Sequence, residues 1–447
     1  MAGETFNMDL GSQQLDFFKH YYGPISENLF NSENVTHGRI KKDFNNFVGD
    51  EYRPANRLSF QGGFGAGSLP KAGGKRGKQA VVKTKRVYQR ISLRREAIKA
   101  SMGNKGAFVR ATKESIRGGV ESYARNCSRI LFSDGTGILG RGVGGTPDAT
   151  RNVTALAADP VNGHPARTRI VFGNETVCPW VDARFEEEDQ IQLVTGLNAA
   201  DNKGGMMEPV GTDFLTVYRV FPEDRVIEVT GTSALLAAHA AVPRPLPTDQ
   251  GFCMQRSYME EPHGLLNIVQ HPSQGMLYEI PIQRRWSSTQ TDADGNTISI
   301  PIIRQHVLDI HKKFGNKVGK LICTSYLQYN RLLEMLGDDT KRYNINARTM
   351  KSSKLNAKTS FSGISLMTEA GEIGIFFERF CPDDRMFIIN DNYIKVPTRP
   401  GQGWFNDDGR VLLRESDEDS YEARYGGYWN NYIVPSAQGV IYNLATT

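Results

Sequence analysis

Between Glu51 and Glu96 the chain has no aspartate or glutamate, the sharpest charge asymmetry in its 447 residues. Cysteine is scarce as well. The five present (Cys127, Cys178, Cys253, Cys323, Cys381) are odd in number, widely spaced and form no C-x-x-C pair. That excludes a disulfide framework and a zinc knuckle, and a reducing compartment fits best. Long apolar runs are missing too: the best one, residues 233–242, is broken by His239 and stops at Pro243. The first residues, MAGETFNMDLGSQQ, lack a basic flank followed by an apolar core. Neither secretion nor membrane spanning is expected. No fixed-period repeat appears. With 39% hydrophobic, 10% aromatic and 23% charged residues, the composition is that of a globular chain with material for a large core. The net charge of +5 says little until its distribution is examined.

Within the acid-free stretch stand Arg53, Arg57, Lys71, Lys75, Arg76, Lys78, Lys83, Lys85, Arg86, Arg90, Arg94 and Arg95. At its centre GGFGAGSLPKAGGKRGK (62–78) holds seven glycines and four cations. After it, residues 80–94 alternate, with Val87, Ile91 and Leu93 on one side and Tyr88, Arg90, Ser92 and Arg94 on the other, which predicts a strand. With 58–60 as the outgoing limb, this is a two-stranded excursion with a flexible tip, too polar to bury itself and marginal in isolation. Residues 1–55 lack sustained periodicity and read as an extended arm with one short helix. In 107–132, Val109, Ile116, Val120, Tyr123, Cys127 and Ile130 share one face, predicting a long amphipathic helix that stops at Ser-Asp-Gly-Thr-Gly (133–137). Its polar face pairs Glu121 with Arg125 at i,i+4, and Gly118-Gly119 predicts close packing there.

Short β-like runs dominate 165–245, including a hairpin of 214–221 with 225–230, and predict a small β insertion followed by a proline-marked linker at 243–247. Helix 303–314, strand 319–323 and helix 325–336 predict a mixed layer. Strands are expected again at 363–367, 373–377, 386–390, 393–396, 410–413 and from 421 onwards.

Catalytic motifs are weak. G-x-G-x-x-G occurs at Gly135, Gly137 and Gly140, and again at Gly140, Gly142 and Gly145, but a helix precedes it and a loop follows, the reverse of a dinucleotide site. Neither Lys75 nor Lys78 stands in a P-loop frame. Asp292-Ala-Asp294-Gly-Asn296 has its glycine too early for a calcium loop and reads as a hairpin turn. Glu186-Glu187-Glu188-Asp189 is a solvated face or a site for a cation or basic partner. His306 and His311, five apart, do not share a metal. No catalytic, cofactor or metal residue is expected, although a hydrolase site assembled across the fold would leave no local trace.

The order of parts is distinctive: arm, glycine-tipped excursion, strand ending in RREAIKAS (94–101), NKGAF (104–108), long helix, LFSDGTG (131–137). Together with LICTSYLQYNRLLEMLGDDTKRY (321–343), WFNDDGRVLL (404–413) and 425–444, it resembles the tailed-bacteriophage major capsid proteins of the Hong Kong 97-like shell fold. The resemblance implies an α+β architecture and a non-enzymatic structural protein. Its parts would be an N-terminal arm (1–55), an extended two-stranded loop (56–95), a peripheral domain (96–164) with a spine helix (about 107–132), a small β insertion (165–250), an axial α/β domain (251–400) and a C-terminal β segment returning to the body (401–447). The chain would form the hexamers and pentamers of an icosahedral shell around double-stranded DNA, within the virion, after assembly in the host cytoplasm. Scaffolding, portal and decoration proteins would be partners, the scaffold a separate protein because the arm begins almost at Met1; no membrane or cofactor is implied. In the extended loop Gly65, Lys71, Lys75, Arg76, Lys78 and Arg86 would meet a neighbouring copy, with Glu186, Glu187, Glu188 and Asp189 as an acidic partner. Arg110, Lys113, Arg117 and Arg125 would face the genome, or alternatively solvent or a neighbour. Some family members cross-link a loop lysine to an asparagine of another subunit; here the asparagine and the assisting carboxylate have no match. The rival reading is a non-specific nucleic-acid-binding protein using basic residues 53–95.

Overall fold

The computed structural model describes residues 35–446 apart from 46, 60–75, 95–104, 147–149, 162, 208–213, 232, 242–243, 316–318, 320, 339–363, 369–370, 400–402, 406–410, 412 and 415–418. Its architecture is α+β. At the centre lies a six-stranded mixed sheet in the order Thr289–Asp292, Gly439–Tyr442, Met386–Ile389, Leu321–Thr324, Gly371–Phe377, Ile364–Thr368. Its central strands Leu321–Thr324 and Met386–Ile389 read as nearly continuous apolar runs because both faces are covered. Ile322, Met386, Ile388 and Ile441 point to one core with Ile303, Val307 and Ile310 of the helix Ile300–Phe314 and Leu332 of the helix Tyr326–Asp338. Their neighbours Leu321, Cys323, Phe387, Ile389 and Val440 point to the other. There they meet Tyr123, Cys127 and Ile130 of the helix Lys105–Leu131, with Phe132 just beyond it against Phe387 at 5.9 Å. Burying each such aliphatic side chain contributes roughly 1.5–3 kcal/mol. The expected helix–strand–helix layer is therefore present, and the long helix matches its predicted span within two residues at each end.

A second sheet is wholly antiparallel, ordered Ile138–Arg141, Gly251–Met254, Gln190–Thr195, Leu215–Phe221, Val226–Thr230, Arg167–Val171, Thr154–Leu156, with Met206–Met207 on Gln190–Thr195. The anticipated hairpin is there, but the layer is larger than the expected 165–250, because buried strands at Ile138–Arg141 and Gly251–Met254 pair across more than a hundred residues. Phe172, Trp180 and Phe185 form a three-ring cluster in its core, with centroids 5.1–5.8 Å apart. The apolar run before the prolines is a helix, Ala234–Ala241, which its lack of periodicity concealed. Asp292–Gly295 is a turn but not of a hairpin: the strand before it pairs in parallel with Gly439–Tyr442 and the chain continues into the helix Ile300–Phe314.

The described part of the expected arm is anchored to its own chain. A short helix, Val35–Arg39, is followed by Lys41–Asp43, which pairs in parallel with Ile394–Pro397. Tyr52 is fully buried and donates to the Asp43 carboxylate at 2.8 Å, and Lys395 reaches the same carboxylate. The excursion needs a larger correction. Ala55–Ser59 and Arg76–Gln79 form a ladder with no third strand among the described residues, but Lys85–Arg94 is sewn over ten residue pairs to Ser420–Trp429. Polar as it is, this limb buries one face at home, because a strand remote in sequence supplies its hydrogen bonds.

Candidate intersubunit interface

The strand Lys85–Arg94 alternates as its sequence predicts: Val87 and Ile91 turn inward, while Arg86, Tyr88, Arg90 and Ser92 are exposed. Beneath it Gly119 brings the long helix close, for a Cβ there would come within 2.4 Å of the Ile91 side chain; Gly118 has open space. On the partner strand Trp429 is buried and donates its indole N–H to the Tyr123 hydroxyl at 3.1 Å, with Tyr425 edge-on to Tyr123. Arg424 and Tyr428 face outward. The register sets Arg86 opposite Tyr428 and Arg90 opposite Arg424. Two like charges directly across a ladder repel. The nearly buried Glu422 relieves this by accepting from Arg90 at 2.5 Å and also from Arg424. The outcome is an outward face with three arginines (86, 90, 424), two half-exposed tyrosines (88 at 55%, 428 at 40%) and one sunken carboxylate. Arginine and tyrosine are the residues enriched where proteins bind each other. Glu422, Arg424 and Tyr428 were invisible as site residues in the sequence, since only the register brings them beside the ribbon.

Of the predicted loop contacts, Lys78 and Arg86 are exposed. Arg76 lies in the ladder opposite Ser59, and Gly65, Lys71 and Lys75 fall outside the described residues. Other ribbon cations are engaged at home: Arg53 and Lys83 share Glu51 at 2.6 and 3.9 Å, and Lys85 reaches the Met259 carbonyl at 2.6 Å and Glu260 at 3.5 Å.

The acidic run and the helix cations, assigned to different partners from sequence, meet each other. Arg125 is mostly buried and bonds both Glu186 and Asp189, the latter at 3.3 Å, with Arg379 near Glu186 at 3.6 Å. Arg125 is thus not a genome-facing residue, and Glu186 and Asp189 are not free acceptors for a neighbour. Burial raises the Asp189 carboxyl and lowers the Arg125 guanidinium, each against the attraction of the other, so desolvation outweighs the pairing. Glu187 and Glu188 remain exposed. Arg117 is exposed and pairs with Glu121 at 2.8 Å, replacing the expected Glu121–Arg125 pair. Arg110 and Lys113 lie on the first half of the helix, where side chains are outside the described part. One turn beyond Arg125, Arg129 forms a buried ion pair with Glu261 at 2.5 Å.

Of the two histidines singled out from sequence, His306 has a packing role. His306 is buried under Gly439, bonds the Thr291 hydroxyl at 2.7 Å, and is held down to about 4 by desolvation. All five cysteines are buried and free, and burial raises each thiol. Among the described residues no helix is long and apolar enough to cross a membrane.

No family model and no curated protein matches the chain. Among solved structures it is similar to one titled the cyanophage A-1(L) capsid asymmetric unit, at 12% identity and a TM-score of 0.43, covering 95% of this chain and 93% of that one. It is also similar to the satellite phage P4 procapsid including size determination protein, at 8% identity and a TM-score of 0.37 over 97% and 98% of the two chains. A Gordonia phage Cozz structure matches at 8% identity and a TM-score of 0.38 over 93% and 87%. At such low identities and scores, the functional reading rests on this chain's own geometry.

Proposed function

We propose that the chain is a major capsid protein of a tailed double-stranded DNA bacteriophage, with the Hong Kong 97-like shell fold, assembling into hexamers and pentamers of an icosahedral shell. It acts by association and not by turnover. The observation that carries this reading is the ribbon: among the described residues a two-stranded ladder with no third strand, whose connecting sequence is rich in glycine and lysine, followed along the chain by a strand with an outward face of arginine and tyrosine. An isolated two-stranded ladder is marginal in water. A second copy supplies the missing surface, with Lys78, Arg86 and the tip cations as contacts and Glu187 and Glu188 as acidic counterparts. Scaffolding, portal and decoration proteins, packaged DNA held by non-specific charge, assembly in host cytoplasm and a final place in the virion belong to the same reading. Electron microscopy of expressed full-length protein with and without residues 62–73 tests it. Closed particles are expected from the intact chain and none from the shortened one; equal particle yield from both would overturn the role of the ribbon, and no particles from either, even with scaffold, the capsid reading.

A further inference from the structure

An open cleft of about 660 Å3 lies between the segment 271–290 and the helix Ile300–Phe314. Its wall carries three cations, Arg284, Lys312 and Lys313, and one carboxylate, Asp309. Asp309 is already engaged: Lys312 Nζ donates to its Oδ1 at 3.0 Å and Gln305 Nε2 to the same oxygen at 3.1 Å. That pair cancels, which leaves two positive charges on the wall, Arg284 and Lys313, with no paired carboxylate among the described residues. His271 adds none, because its Nδ1 bonds the Pro272 carbonyl at 2.7 Å, its Nε2 accepts from the Ser288 amide at 3.0 Å, and burial holds it below its usual range. Lys313 Nζ gives one N–H to the Ser288 carbonyl at 2.7 Å and has two more to offer. Burial, and then the nearby Arg284, push its ammonium down to about 8. Lys313 is partly buried and stands beside the exposed Arg284, and two like charges so placed on one wall gain from an anion that binds both.

We propose that this cleft is a phosphate-binding site, with Arg284 and Lys313 as its charge-bearing contacts. Two uncompensated charges match a dianion better than a single carboxylate, and Gln283 and Ser287 on the same wall suit an oxyanion that presents acceptors in several directions. The site is independent of the capsid reading, for it is complete within one chain. The test follows acetylation of individual lysines in the full-length protein by mass spectrometry as pH is raised. Inorganic phosphate is expected to move the half-reaction point of Lys313 up by roughly one pH unit, about a fivefold slowing at pH 8, against a chloride control of equal ionic strength. Lys78, outside the cleft, changes little. Arg284→Gln, checked for an unchanged circular dichroism spectrum, is expected to lose most of this protection. A second arm supplies the same phosphate content as duplex DNA: protection stronger than by free phosphate assigns the phosphodiester as the source, protection by free phosphate alone the small ion. Identical behaviour in phosphate, duplex and chloride, or undiminished protection in Arg284→Gln, overturns the proposal.

Discussion

At the scale of single residues, the two adjacent glycines of the long helix make opposite predictions. Gly119→Ala drives a methyl group into Ile91 and is expected to destabilise the chain by about 1–3 kcal/mol. Gly118→Ala, next to it in open space, removes a flexible residue from a helix and is expected to stabilise by up to about 1 kcal/mol. Urea midpoints of the two variants should move in opposite directions; equal shifts would mean that the helix does not lie on Ile91. The buried His306 and the partly buried His263 predict a pH dependence. His263 and His306 are both held down to about 4 by desolvation, against an ordinary value of 6.5. The unfolded chain therefore takes up protons first, and the stability these sites contribute is full above pH 6.5 and lost as pH falls toward 4. Each is worth on the order of 3 kcal/mol across that window. Replacing His306 by glutamine should flatten the acid limb of a stability-against-pH curve by about one histidine's share; an unaltered limb would contradict the burial.

Among elements, the pairing of Lys85–Arg94 with Ser420–Trp429 decides most. Gly426 sits where a Cβ would meet the Val87 carbonyl oxygen at 2.3 Å, so the strands approach closely only because that residue is glycine. Gly426→Val should open the ladder locally. Amide exchange along 85–94 is the measurement, and protection there equal to wild type would refute the close approach. Removing residues 62–73 alone is expected to leave exchange in this ladder and the melting temperature nearly unchanged, since both strands remain whole. The periodic part of this arrangement was legible beforehand: Val87 and Ile91 against Arg86, Tyr88 and Arg90, and the stripe from Ile116 to Ile130, follow from spacing. The identity of the strand that covers them was not, because pairing across more than three hundred residues leaves no local mark.

For the whole molecule, stability should depend on assembly. If copies bury one another's ribbons, the apparent melting temperature should rise with protein concentration and with particle formation, since association stabilises the folded state by mass action. Salt should weaken early association through the arginine-rich face, as charges at exposed surfaces are screened beyond about 10 Å at 0.1 M. Light scattering against salt and concentration reads both effects, and salt-independent association would shift the weight from charge to apolar contact. Taken by itself, the sequence determined the alternation of strands and helices, the long apolar stripe, the acid-free ribbon and the absence of recognisable local catalytic motifs, because each depends on neighbours within a few turns of chain. Only the tertiary structure decided that residues 35–55 and 80–94 fold home, that Arg125 is consumed by Glu186 and Asp189, and that Arg424 and Tyr428 complete an outward face. The physical reason is the same in each case: a charge or a strand edge is satisfied by whatever the fold brings within a few ångströms, and that partner is set by packing, not by distance along the chain.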